Sequence, residues 1–91
     1  MAELRFGPQA DDFLTELEGV PGEPSAKLLA KLNTALDRLE NDPGDVYCRR
    51  RRFENIGVWG ITVVQKEDEW LILWELGNDD SVTVHAITRA P

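Results

Sequence analysis

Cysteine is almost missing from this chain of 91 residues; Cys48 stands alone. A lone thiol cannot close an intramolecular disulfide, and a structural zinc site built from several thiolates is excluded. A reducing cytoplasm is the default compartment for such a chain. Long apolar runs are missing as well: none approaches the roughly 20 residues needed to span a bilayer. Met1-Ala2-Glu3-Leu4-Arg5 lacks the basic-then-apolar order of an export leader, so a cytoplasmic protein with no membrane partner is expected. Histidine and tyrosine occur once each, as His85 and Tyr47. Positive charge is scarce, with 10 Lys and Arg against 17 Asp and Glu, a net of −7. Proteins that coat nucleic acid rely on phosphate neutralisation for most of their affinity, so that class starts at a disadvantage. The length allows a single domain, residues 1–91, with a modest core.

The few cations that exist are unevenly placed. Residues 1–46 hold 4 basic and 10 acidic side chains, a net of −6, and residues 47–91 hold 6 and 7, a net of −1. Four of those six are consecutive: Arg49, Arg50, Arg51 and Arg52. The chain is acidic with one concentrated cationic spot.

Apolar periodicity sets the expected elements. Leu4 and Phe6 alternate with Glu3 and Arg5, the period of a half-buried strand. Pro8 suits a helix start, and Ala10, Phe13, Leu14 and Leu17 keep helical spacing, so residues 8–18 read as an amphipathic helix. A second helix starts at Pro24-Ser25, carries a stripe of Leu29, Leu32, Leu36 and Leu39 widened by Leu28 and Ala35, and stops at Asn41-Asp42-Pro43-Gly44. The short Gly/Pro link between them predicts an antiparallel helix hairpin. Strands follow: a strand-like run over Tyr47–Phe53, then Val58–Gln65, Trp70–Leu76 and Ser81–Thr88, the last with Val82, Val84 and Ala86 on one side. Lys66-Glu67-Asp68-Glu69 and Gly77-Asn78-Asp79-Asp80 read as four-residue turns that favour antiparallel hairpins. The expected fold class is α+β: a short N-terminal strand, an antiparallel helix hairpin, then a three- to four-stranded antiparallel sheet in a two-layer sandwich.

Several residues invite chemistry. In a strand Arg49 and Arg51 would face one way, Arg50 and Arg52 the other. The tract reads either as a patch for phosphate or an acidic partner, with Tyr47 beside it, or as internal pairing with Asp42, Asp45, Glu54 and Glu75. His85 could move a proton near neutral pH, and Arg89, four residues on, would share its face of the strand and line one groove. The bland alternative for His85 is a strand histidine with a backbone or carboxylate partner. Cys48 beside cations could ionise readily, or be a buried inert thiol. Trp59, Trp70 and Trp74 could stack on bases, or build the core. The acidic turns lack calcium-loop spacing, and no metal or cofactor is called for.

Taken in order, these pieces resemble the toxins of the RelE/ParE superfamily, the toxic halves of bacterial type II toxin–antitoxin pairs. The resemblance runs through Leu4-Arg5-Phe6-Gly7-Pro8-Gln9-Ala10 with Phe13-Leu14, the leucine-rich helix ending in Asn41-Asp42-Pro43, and the arginine tract. It continues through Val58-Trp59-Gly60-Ile61-Thr62-Val63, Trp70-Leu71-Ile72-Leu73-Trp74-Glu75-Leu76 and Val82-Thr83-Val84-His85-Ala86-Ile87. It implies a small sheet curved around a helix hairpin, a cognate antitoxin partner, and a target such as ribosome-bound mRNA or DNA gyrase. In the nuclease branch, basic residues of the sheet stabilise the developing phosphorane charge. Here those positions fall on Gly60, Thr62 and Leu71, and only Arg89 lies near the terminal basic position, so most of the family's catalytic cations are missing. The resemblance therefore implies either a toxin-like endoribonuclease centred on Arg49, Arg51, His85 and Arg89, or a non-catalytic binding module of gyrase-inhibitor or degenerate type. Parallel pairing in the sheet, or guanidinium groups all locked internally with no open ledge, would undo the toxin-like assignment and its site residues together. The oligomeric state is open.

Overall fold

In a computed structural model, which describes residues 2–90, the elements follow as β1 (Glu3–Phe6), α1 (Pro8–Gly19), α2 (Glu23–Asn41), β2 (Arg51–Phe53), β3 (Val58–Gln65), β4 (Asp68–Leu76) and β5 (Ser81–Arg89). The class is α+β. Pro8 occupies the first turn of α1 and Asp11 sits near its positive end. In α2 most of the leucine stripe is the buried side: Leu28, Leu32, Ala35, Leu36 and Leu39 are withdrawn from solvent, while Leu29, expected to head the stripe, is only half-buried and Leu28 takes its place. Pro43 cannot continue that helix, and Arg38 in its last turn suits the negative end.

The sheet has five strands in the order β1-β5-β4-β3-β2. The meander β2–β5 is antiparallel throughout, but β1 pairs with β5 in parallel, so the sheet is mixed rather than purely antiparallel. The reason is parity. If each of the connections from β1 through both helices and the meander reverses the chain, an even number of reversals leaves β1 and β5 running the same way. β5 has an unpaired side, and β1 fills it from Ser81 to Val84.

Where β1 ends, a side chain continues the ladder. Gln9 Nε2 donates to the Ile87 carbonyl (2.9 Å), and the Ile87 N–H donates to Gln9 Oε1 (2.8 Å). α2 ties both rims of the sheet. Near its start Lys31 Nζ donates to the Val64 carbonyl and Gln65 Nε2 to that of Pro24; at its end the Glu40 carbonyl accepts the Ala2 N–H.

Alternation puts Trp59, Ile61 and Val63 of β3 and Trp70, Ile72 and Trp74 of β4 on the helix side. Trp74 is fully buried, and its Nε1 donates to the Cys48 carbonyl (2.8 Å). The other side, here the open face, bears no helix. It carries Arg51, Phe53, Gly60, Thr62, Leu71 and Glu75. A Cβ on Gly60 would lie 2.9 Å from Phe53 Cε2, so the phenyl ring needs glycine beneath it. Leu71, on this face, is still only 4% exposed.

Three further expectations need correcting. β2 is shorter than the run Tyr47–Phe53, because residues 45–50 coil through hydrogen-bonded turns. The β3–β4 turn is Lys66-Glu67 alone, since Gln65 already pairs with Asp68 and Lys66 takes a left-handed φ of 55°. In β5 the register jumps from Ala86↔Leu73 to Val84↔Trp74, which leaves His85 as the extra residue of a bulge. Val82 and Val84 face the core, but Ile87 takes the place expected of Ala86.

Candidate partner-binding edge

The arginine tract lies where α2 hands over to the sheet. After Pro43, Asp45 organises the chain: its carboxylate accepts the Tyr47 N–H (3.1 Å), and its carbonyl accepts the Cys48 N–H (3.0 Å). Arg38 binds the same carboxylate at 3.0 Å and lays its guanidinium 3.9 Å from the centre of the Tyr47 ring. Arg38 first, and then the Tyr47 N–H, hold the Asp45 carboxyl below the usual carboxylate range. Cys48 is buried, and burial pushes its thiol pKa up. That is the inert thiol, not the reactive one.

Because β2 begins only at Arg51, strict alternation does not govern the tract. Arg49 and Arg52 converge on one ring, with guanidinium carbons 5.3 and 4.7 Å from the centre of Trp59. Trp59 in turn stacks on the buried Trp74 (6.4 Å, 27°). Arg49 also donates from Nε to the Pro43 carbonyl (2.9 Å). Arg51 is on the open face, 5.4 Å from the Phe53 ring centre and 3.8 Å from Glu69 Oε1. Arg50 is exposed at the bend before β2. Aromatic faces hold guanidinium groups in place without consuming their N–H donors.

The carboxylates offered as internal partners are occupied elsewhere or stand apart. Asp45 pairs with Arg38, and Glu75 with His85. Neither Asp42 nor Glu54 forms an ion pair among the described residues, and neither do Arg49, Arg50 and Arg52. The result is a short edge strand preceded and lined by guanidinium groups, three of them with donor capacity for an external carboxylate or phosphate.

His85 and Arg89 do not share a groove. The bulge at His85 shifts the alternation, so His85 sits on the open face with Nε2 3.1 Å from Glu75 Oε2. Arg89 lies on the helix side, paired with the Asp68 carboxylate and 5.6 Å from the Trp70 ring centre. Arg51 and His85 do share a face. The row Arg51–Gly60–Leu73–Ala86 crosses the sheet beside His85, and three strand spacings put its ends about 14 Å apart. Gly60 and Leu73 carry no charge between them.

Sequence reasoning passed over Lys31 and Arg38. Both sit on the polar side of α2, and nothing local marks them; their roles come from what the folded chain brings to that helix. Among the described residues no group of three or more His, Cys, Asp or Glu side chains is placed to hold a metal ion, and no helix is long and apolar enough to cross a membrane. Compared with family models, with curated proteins and with solved structures, the chain matches none.

Proposed function

We propose that this chain is a RelE/ParE-like toxin-type component that acts by binding: its arginine edge grips an anionic surface of a cellular target, and an antitoxin segment neutralises it. One observation carries the reading. Arg49, Arg50 and Arg52 cluster at a sheet edge with no carboxylate partner among the described residues, on a chain whose net charge is −7. Guanidinium groups braced by Trp59 suit bidentate recognition of carboxylate or phosphate.

The parallel β1–β5 pair meets one of the two conditions stated against the toxin-like assignment; the other is not met, since Arg49, Arg50 and Arg52 have no ion-pair partner among the described residues. The reading rests on the arginine edge and on the antiparallel meander that carries it. Cleavage of ribosome-bound mRNA is the second reading, favoured by Arg51 and His85 sharing the open face with Glu75. The uncharged Gly60, Thr62 and Leu71 on that same face weigh towards binding without cleavage.

The experiment is induction of the chain alone in bacteria. Binding predicts growth arrest with intact mRNA. The double variant Arg50→Glu/Arg52→Glu should relieve the arrest while melting within a few degrees of the parent, since exposed charges contribute little to stability. Loss of mRNA on induction would favour cleavage instead. Absence of any arrest would sink the toxin-type reading.

A further inference from the structure

β2 covers only part of its neighbour. It pairs with Val58, Trp59 and Gly60, which leaves Ile61–Gln65 of β3 without a strand on that side among the described residues. The backbone orientation there is fixed by one contact: Lys31 Nζ reaches the Val64 carbonyl at 2.8 Å, so that carbonyl points out of the sheet towards the uncovered side. In an extended strand the N–H and C=O of one residue point the same way, and every second residue repeats the direction. Val64 and Thr62 therefore both present a donor and an acceptor outward.

A groove of about 340 Å³ runs beside this edge, walled by Ala30, Lys31 and Thr34 of α2 and by Tyr47. Lys31 is the only charged side chain among its walls, and Val64 at its lip is 55% exposed. The larger groove along β1, of about 620 Å³, has the opposite character, with Glu3, Asp37 and Glu40 in its walls. The uncovered part of β3 also lies in line with β2, so a strand laid against it would end beside Arg51 and the exposed Arg50. Positive charge stands at both ends of the groove and carboxylates do not line it.

We infer that the Ile61–Gln65 edge of β3 accepts an added strand from a partner: an extended segment in which Asp or Glu alternates with β-branched residues. The added backbone pairs with Thr62 and Val64. Lys31 leaves the Val64 carbonyl and meets a partner carboxylate, and a second carboxylate meets the arginine edge. This deepens the binding reading above and rests on it.

The test uses the full chain, isotope-labelled for amide exchange, and a short capped probe peptide of alternating Glu and Val. The expected result is saturable binding that slows exchange at Thr62 and Val64 by about tenfold or more. Exchange at Ile61 and Val63, already facing β4, should stay unchanged. The same peptide N-methylated at alternate residues should bind at least about tenfold more weakly, as should the peptide with Lys in place of Glu. Lys31→Gln should weaken binding several-fold while lowering the melting temperature by no more than a few degrees, since the bond it gives up to the Val64 carbonyl is exposed. Equal binding of the N-methylated peptide, or binding that leaves Thr62 and Val64 exchanging as before, overturns the inference. So does protection of those amides in the free protein that rises with its concentration, which would assign the edge to a second copy. Growth arrest without strand addition would sink this site and leave the arginine edge standing; strand addition without arrest would do the reverse.

Discussion

Trp74 concentrates the most structure in one side chain. It fills the core, carries Trp59 on its face, and fastens the Cys48 turn by the hydrogen bond from Nε1. Replacing it with Phe keeps an apolar ring but leaves a buried carbonyl unpaired, a loss of about 2 kcal/mol. For a domain of this size Trp74→Phe should lower the melting temperature by ~10 °C, read by circular dichroism. A second residue-scale effect is acid sensitivity. Arg38 and the Tyr47 N–H depress Asp45, while the Ser81 hydroxyl and N–H depress Asp79. Their folded-state pKa values lie below the unfolded ones, so the unfolded chain binds more protons as the pH falls. The stabilisation is therefore present above about pH 4 and is lost as the pH drops through the folded values. Urea titrations at falling pH should show a shallower acid loss for Asp45→Asn than for the parent. The burial of Cys48 and of Trp74 was legible in the sequence because a small core needs its large apolar groups. The Arg38–Asp45 pair was not, because it closes only after the chain turns at Pro43.

The elements themselves were mostly readable: both helices and the three long strands lie within a few residues of where leucine spacing and β-branched runs put them. What failed was the assumption of an unbroken period of two. Arg49 and Arg52 meet over Trp59 because the strand starts late, and His85 parts from Arg89 because a bulge inserts one residue. Neither break has a glycine or proline to announce it. The Gln9 amide is a third irregularity, a side chain acting as a ladder rung against Ile87. Gln9→Ala should cost about 1–2 kcal/mol. It should also speed amide exchange at Ile87 while leaving Val82, under β1, protected. Unchanged exchange at Ile87 would show that the rung is dispensable.

At the scale of the molecule, the parallel β1–β5 pair overturned the expected antiparallel sheet: an even number of reversals produces it, but composition and spacing do not say that β1 joins the sheet beside β5. Charge separation between the two grooves was half visible: the −6 and −1 halves hint at it, but only the fold brings Glu3 to Asp37 and Glu40, and Lys31 to the far rim. The way α2 spans the sheet has a mechanical consequence. A rod of 19 residues is about 28 Å long. Pinned near its start to β3 and at its end to the residue before β1, it works as a cross-brace. While Lys31 holds Val64, a load applied at one border is carried along the helix to the opposite border; prising Lys31 away leaves the Gln65–Pro24 bond as the remaining tether at that end.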